Sequence, residues 1–112
     1  MKPQPPTTSG LSEGTKLDGE KPRLDLVDSD WITGVAEILT FGAKKYAAHN
    51  WRKGIYWSRV IAAAFRHLLA IARGEDFDTE TGKPHSLHLS CCAMFLHWYL
   101  THRPEFDDRY KG

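Results

Sequence analysis

The sequence has few cysteines, and their position excludes a disulfide framework. Its 112 residues contain two, the neighbours Cys91 and Cys92. A bridge between adjacent residues would be badly strained, because the two side chains diverge. Both are therefore predicted to be reduced, buried and effectively apolar. The absence of disulfides indicates a cytoplasmic location.

Long apolar runs and an excess of one charge sign are also missing. No run reaches the roughly 18 apolar residues of a membrane span, and the N-terminal stretch MKPQPPTTSG lacks the apolar segment of a signal peptide. The 15 Lys and Arg residues nearly balance the 14 Asp and Glu residues. A protein that coats a nucleic-acid polymer needs a broad basic surface. We therefore expect neither a membrane nor a nucleic-acid polymer as partner, although a few cations suffice for one phosphorylated small molecule.

The chain divides into a polar N-terminal segment and one domain. Residues 1–22 hold four of the six prolines and few apolar side chains, so they cannot bury enough surface to offset the entropy lost on ordering. We predict a flexible N-terminal arm at 1–22 and a single α-helical domain at 23–112. No phosphate-binding P-loop, dinucleotide-binding glycine pattern, Cys-x-x-Cys pair or serine nucleophile elbow occurs in the sequence.

Apolar spacing and end signals predict three helices in this domain, at 30–46, 58–73 and 85–102. Possible N-caps stand at 28–30, Ser58 is a possible N-cap of the second helix, and a proline at 104 follows the third helix. Gly34 and Gly42 weaken the first helix but permit close approach of another backbone. On the second helix, residues at i, i+4, i+7, i+8 and i+11 predict one buried face. They are Val60, Ala64, His67, Leu68 and Ile71.

The third helix predicts self-association. Its stretch LHLSCCAMFLHWYL is apolar on nearly every side, and such a helix must be buried all round. A chain with about three helices buries such a surface with difficulty. The fold class is therefore predicted to be all-α, a small helical bundle of about three helices completed by homo-oligomerisation through the third.

Imidazoles and carboxylates concentrate where the second helix ends, the acidic loop follows and the third helix begins. If these helices are antiparallel, the loop closes over the space between them, and nitrogen and oxygen ligands converge as a divalent metal requires. Mg²⁺ prefers oxygen ligands, so several histidines would suit Mn²⁺, Zn²⁺ or Fe²⁺ better. The residues of this polar cluster are His67, Glu75, Asp76, Asp78, Glu80, His85 and His88.

Two sets of roles follow for the polar cluster. His67, Asp78, His85 and His88 are the candidate metal ligands, with Glu37 of the first helix as a further one. The candidate catalytic residues are His67, Glu75, Asp78 and His85. Plainer interpretations stay open: a histidine on an apolar face is usually hydrogen-bonded in the core, and acidic loop residues usually face water or cap a helix. The carboxylate on the first helix could equally lie on the surface or pair with an arginine.

A second group, between the first two helices, combines cations with flat rings. Lysine and arginine would neutralise phosphates, while tryptophan or tyrosine would stack on a base. The alternative is a solvated helix end followed by aromatic residues that fill an oligomer interface. The candidate ligand-binding residues are Lys44, Lys45, Tyr46, Asn50, Trp51 and Arg52, together with Arg66 and His88.

In order along the chain, FGAKKY, NW, RHL, GE-x-x-D-x-E-x-G and H-x-x-H make a specific set. With these motifs, residues 21–100 resemble the phage-associated family named as the N-terminal domain of dATP/dGTP diphosphohydrolase. The resemblance implies hydrolysis of a purine deoxynucleoside triphosphate to monophosphate and pyrophosphate with a divalent metal. We expect Mg²⁺ or Mn²⁺ as this ion, with Zn²⁺ as the alternative. It makes 23–112 a nucleotide-binding domain, and it places the protein in the cytoplasm of an infected bacterial host.

The sequence differs from MazG-like pyrophosphohydrolases, which have a related function and hold Mg²⁺ through E-x-x-E and E-x-x-D motifs on two helices. Here the second helix contains AAAFRHL and the third begins HSLH. Three hypotheses remain. The first is a metal-dependent nucleotide diphosphohydrolase, and its rival is a non-catalytic phage protein that binds and sequesters a nucleotide-derived immune signal. The third is an interaction module whose polar cluster only ties the second and third helices together.

Overall fold

The computed structural model describes residues 14–15, 17 and 19–112. In these residues the chain forms three α-helices: α1 (Ser29–Lys45), α2 (Trp57–Ala72) and α3 (His85–His102). Short 3-10 helices span Leu24–Leu26, Asn50–Lys53 and Pro104–Phe106. Within the described part of the chain there is no strand, only an isolated bridge between Phe77 and Pro84. The all-α fold is confirmed, whereas most of the predicted arm at 1–22 lies outside the described residues.

The helix ends follow local chemistry in one case and distant contacts in another. At the start of α1, the Asp28 carboxylate accepts a hydrogen bond of 2.8 Å from the backbone N–H of Trp31, as an N-cap does. Ser58, which the sequence suggested as the N-cap of α2, lies inside that helix. Its N–H and hydroxyl both donate to Asp108, at 2.8 and 2.6 Å. A carboxylate fifty positions away therefore supplies the cap.

The middle helix of the bundle is α3. Trp57 near the start of α2 shares a core with Tyr99, and His67 further along α2 meets His85, so α2 runs antiparallel to α3. On the other side, the Trp31 indole N–H donates to the Ser90 hydroxyl at 2.9 Å. Burial by helices on both sides explains why α3 is apolar almost all round.

Among the three helices, more large apolar side chains are exposed on α1 and on α2 than on α3. Phe65, Leu68 and Leu69 are 61%, 48% and 50% exposed. Leu68 was predicted to face the core and does not, because α3 covers a narrower strip of α2 than the apolar spacing suggested. Association through α3 stays a prediction, although the need to bury its surface is largely met within the chain.

Gly34 permits the close contact between α1 and α3. A Cβ at this position would lie 2.5 Å from Cδ1 of Leu87, which is well inside the normal separation of two carbon atoms. Around Gly42, by contrast, no atom beyond its chain neighbours and the backbone of α1 itself lies within 4 Å of such a Cβ. The close approach of another helix that was expected at both glycines is therefore present at Gly34 only.

Aromatic residues fill the end of the bundle where α2 begins and α3 ends. Trp57 is 5% exposed and Tyr99 is fully buried. Trp51 stacks on Phe95 with ring centroids 4.7 Å apart, and the Tyr99 hydroxyl donates to the carbonyl of Trp51. We call this region, Trp51, Trp57, Phe95, Trp98 and Tyr99, the aromatic end.

The cysteines of α3 behave as predicted. Both are free and buried, and burial raises the pKa of the Cys91 thiol to about 11. A thiol of that kind is a small apolar group rather than a nucleophile. Among the described helices, none is both long and apolar enough to cross a membrane.

Candidate metal centre

A tight hairpin at 73–84 connects α2 to α3 and carries four of the seven residues of the polar cluster. The N–H of Asp78 donates to the carbonyl of Lys83 at 2.8 Å, and the N–H of Gly82 donates to the carbonyl of Asp78 at 2.8 Å. Gly82 adopts a φ of +70°, a conformation that costs glycine nothing. The N–H of His85 donates to the carbonyl of Asp76 at 2.9 Å. The hairpin therefore places the Asp78 carboxylate beside the first turn of α3.

Three side chains from three elements converge at this point. His67 of α2, Asp78 of the hairpin and His85 of α3 each offer one ligand atom, and these atoms lie within 4.8 Å of one another. Among residues 19–112 and the few described before them, no other group of three or more His, Cys, Asp or Glu side chains converges in this way. The predicted convergence of groups distant in sequence is therefore present.

Hydrogen bonds determine the tautomer of His85. Its Nε2 lies 2.6 Å from an Oε2 carboxylate oxygen of Glu75, which can only accept, so Nε2 carries the proton. In the neutral ring Nδ1 is then an acceptor, and Nδ1 of His67 lies 2.8 Å away. His67 therefore donates from Nδ1. Such a carboxylate–histidine pair orients the imidazole as it does beside many protein-bound metals. An ion bound at Nδ1 of His85 would use the lone pair that here accepts from His67.

Thr81 connects Asp78 to His88. Its hydroxyl donates to Oδ1 of Asp78 at 3.1 Å, since an ionised carboxylate only accepts. The hydroxyl oxygen accepts from the N–H of Lys83 at 3.2 Å and from Nε2 of His88 at 2.7 Å. Nδ1 of neutral His88 therefore keeps its lone pair. The His88 ring also stacks on His67 with centroids 4.7 Å apart.

The electrostatics keep the cluster in the protonation state that a metal ion needs. Burial lowers the pKa of His67 and of His88 below the ordinary imidazole value. Burial by itself would raise the pKa of Asp78, but the hydrogen bonds from Thr81 and from the N–H of Glu80, together with the nearby His88 ring, outweigh burial and lower the pKa. Near neutral pH, the neutral rings of His67 and His88 therefore lie beside the ionised carboxylate of Asp78.

This donor set fits a divalent transition metal. Two imidazoles and one carboxylate are typical ligands of Zn²⁺, Mn²⁺ or Fe²⁺, whereas Mg²⁺ prefers oxygen alone. His67 and Asp78 are half-buried and His85 is buried, so the group lies at the protein surface rather than sealed in the core. An open position for a further ligand is the mark of a catalytic rather than a structural site.

Two of the predicted metal ligands lie outside the three-residue group. Glu37 forms an ion pair with Lys83 and, on the outside of α1, does not join the imidazoles. His88 stacks on His67 and contacts Thr81. Glu75 contacts the site through His85, which makes it an orienting group.

The predicted basic and aromatic group is split between two regions. Lys44 and Lys45 end α1 near the hairpin, where Lys45 pairs with Glu80 at 3.1 Å. Tyr46 follows them and is 65% exposed. Arg66 is exposed and precedes His67 on α2.

The 3-10 helix Asn50–Lys53 lies instead at the aromatic end. Trp51 packs against α3 there, and the Arg52 guanidinium lies 5.4 Å from the centroid of the Trp51 ring. Phe95, the stacking partner of Trp51, is ten positions beyond His85, roughly 15 Å along a helix. Trp51 is half-buried and packs against this chain's own core, with Asn50 and Arg52 beside it, away from the metal candidates. Its role as a base-stacking residue stays a prediction.

Two residues of the site were not singled out from the sequence. Thr81 holds both Asp78 and His88 in place, and the spacing Asp-x-x-Thr before a glycine was an available signal for a side-chain-stabilised turn. Lys83 projects toward α1, and no local pattern in the sequence distinguishes it from a solvated lysine.

Comparison with known proteins agrees with the resemblance carried by the motifs. The family model described as dATP/dGTP diphosphohydrolase, N-terminal, matches residues 12–109. A protein of Salmonella phage PMBT28 named dATP/dGTP diphosphohydrolase is 38% identical over 96 residues, which cover 86% of this chain and 33% of that relative. The chain thus spans about one third of the length of that relative. No solved structure matches this chain. On the match over most of its length, the chain belongs to the dATP/dGTP diphosphohydrolase N-terminal family.

Proposed function

We propose that this chain hydrolyses a purine deoxynucleoside triphosphate to the monophosphate and pyrophosphate, with a divalent metal ion held by His67, Asp78 and His85. The observation that carries the proposal is the convergence of three ligand atoms within 4.8 Å. The substrate class is taken from the name of the phage relative. The reaction adds one water across the bond between the α and β phosphates, so the nucleoside monophosphate and pyrophosphate are its only products.

A bound ion would supply Lewis-acid stabilisation to the phosphate oxygens as charge develops there. Mn²⁺ or Zn²⁺ suits the two imidazoles better than Mg²⁺. Glu75 keeps the proton on Nε2 of His85 through their contact of 2.6 Å, so that Nδ1 faces the site with a lone pair. The hydrogen bonds of Thr81 hold Asp78 ionised and turned toward the same point.

Residues around the three metal ligands would neutralise the charge of the phosphates and accept a proton. Lys44 and Lys45 at the end of α1 and Arg66 beside His67 on α2 are exposed cations, and they would neutralise phosphate charge. His88 is the remaining imidazole of the cluster. Because burial lowers its pKa, Nδ1 is unprotonated near neutral pH and is the atom to which we assign acceptance of a proton from the attacking water.

Turnover with a defined metal is the decisive test. Purified protein is incubated with each of the four deoxynucleoside triphosphates plus Mn²⁺, Zn²⁺, Mg²⁺ or EDTA, and monophosphate and pyrophosphate are separated by anion exchange. We expect dGMP and dAMP with Mn²⁺ and none with EDTA. His85→Ala should abolish turnover and tight Mn²⁺ binding, while His97→Ala, an exposed imidazole on the same helix, should change neither.

The same experiment separates hydrolysis from sequestration. A non-catalytic binder would return the nucleotide intact after denaturation and would retain it in EDTA. Absence of product from every nucleotide with every metal would refute the hydrolase.

A further inference from the structure

We propose that the nucleotide lies in a groove between α1 and the hairpin, with Lys83 on its phosphates and Phe41 against its base. This inference rests on the proposed function and assigns it a substrate-binding surface. The groove is open and has a volume of about 360 Å³, within the range of about 300–1,000 Å³ typical of small-molecule sites. Its walls carry two lysines, a glutamate, two threonines and one large aromatic ring.

One wall of the groove is a single stripe of α1. Glu37, Phe41 and Lys44 line it at the i, i+4 and i+7 spacing, which places them on one face of a helix. Phe41 is 42% exposed, although a large apolar ring in the middle of a helix usually faces the core. An exposed ring beside cations suits a flat, phosphorylated ligand, because nucleobases stack on aromatic rings and phosphates bind ammonium groups.

The opposite wall is Lys83, and the hairpin ties it to the metal candidates. Its carbonyl accepts from the N–H of Asp78 at 2.8 Å, and His85 follows two positions later. The backbone contacts that place Asp78 and His85 therefore also place Lys83. A triphosphate held by this ammonium group would lie beside the three metal ligands, as hydrolysis requires.

Glu37 holds the Lys83 ammonium group in a position where it can bind an anion. Its carboxylate pairs with the Lys83 ammonium group, and the two side chains are 48% and 39% exposed. A pair this exposed is weak, so a phosphate with greater charge can replace the carboxylate. Glu37 is then a positioning residue for Lys83 rather than a metal ligand.

Steady-state kinetics with dGTP and Mn²⁺ test the groove. Lys83→Gln and Phe41→Leu should each raise KM about tenfold or more, because each removes a contact made in the bound state, while kcat stays within about twofold. Lys83→Arg should restore KM. Lys53→Gln is the matched control, since Lys53 is exposed and lies near the aromatic end; it should leave both constants unchanged.

Two fragments of the substrate separate the two contacts. Pyrophosphate should inhibit Lys83→Gln less strongly than the wild type but should inhibit Phe41→Leu normally. Deoxyguanosine should inhibit Phe41→Leu less strongly than the wild type but should inhibit Lys83→Gln normally. Glu37→Gln should lower KM for dGTP without weakening Mn²⁺ binding, whereas a loss of Mn²⁺ affinity would make Glu37 a metal ligand and overturn its assigned role.

The failure of the groove and the failure of the hydrolase are distinguishable. If the wild type hydrolyses dGTP and both groove variants keep its KM, the groove is refuted and the hydrolase stands. If the wild type hydrolyses nothing, a titration with dGTP in EDTA, which measures binding without turnover, still tests the groove. Binding that weakens in Lys83→Gln and Phe41→Leu supports the groove, and absent or unaltered binding refutes it.

Discussion

The first turn of α3 contacts its neighbours through imidazoles, carboxylates and a hydroxyl, whereas its last turns contact them through aromatic rings. At the polar end Glu75 is half exposed, with 52% of its side chain accessible. At the aromatic end Tyr99 is fully buried. Buried rings contribute to stability through the apolar area they remove from water. The polar end instead keeps Glu75 exposed and His67 and His88 half-buried, so buried rings and titratable groups lie at opposite ends of one helix.

The largest expected effect comes from removing a ring at the aromatic end. Trp57→Ala should lower the free energy of unfolding by about 3–5 kcal/mol, because it leaves a cavity beside Tyr99 and Val60. Phe65→Ala is the control on the same helix, since Phe65 is 61% exposed, and it should cost far less. Urea denaturation measures both. Equal losses in the two variants would contradict the assignment of stability to the aromatic end.

An intermediate effect is expected at the polar end, on metal binding rather than on folding. Glu75→Gln removes the carboxylate that orients His85 and should weaken Mn²⁺ or Zn²⁺ binding about 10–100-fold. The urea midpoint should barely move, because Glu75 is half exposed. Glu105→Gln, an exposed carboxylate outside the cluster, serves as control. Unchanged metal affinity in Glu75→Gln, measured by titration calorimetry, would show that His85 does not depend on this contact.

The smallest effect is a pH dependence at the start of α2. Hydrogen bonds from Ser58 lower the pKa of Asp108 below its unfolded value of about 3.9. A lowered carboxyl pKa stabilises the folded chain above the unfolded value, and that contribution disappears as the pH falls through the folded value. Asp108→Ala should therefore be less stable than the wild type at pH 7.

Urea titrations across the acid range measure how that difference changes. The gap between wild type and Asp108→Ala should narrow as the pH drops from 5 to 3. A gap that stayed constant over this range would show that the charge of Asp108 is not what caps α2.

Much of the fold was accessible from sequence because its signals are local. The predicted helices at 30–46, 58–73 and 85–102 differ from α1, α2 and α3 by at most one residue at each end. Helix caps, apolar spacing and helix-breaking residues act within a few positions and do not require knowledge of the partner. The polar cluster was accessible for a related reason: His85 and His88 lie one turn apart, and one hairpin joins them to His67.

Residues whose environment is set by distant segments were harder to assign. Trp51 has the composition of a base-stacking residue, yet Phe95 and Trp98 of α3 enclose its ring. Glu37 had the chemistry of a metal ligand, yet Lys83 lies closer to it than the imidazoles do. Side-chain type is the same in both interpretations, so only the packing of helices distinguishes them.

By itself the sequence determined the helix bounds, the buried reduced cysteines and the presence of imidazoles and carboxylates around one short connection. These properties depend on backbone preference and side-chain chemistry over a few neighbouring positions. The tertiary structure alone decided that α3 lies in the middle, that Asp108 caps α2, that Trp51 belongs to the core and that Lys83 faces Phe41 across a groove. Each of those depends on which surfaces meet when the helices assemble, and that is a property of the whole chain.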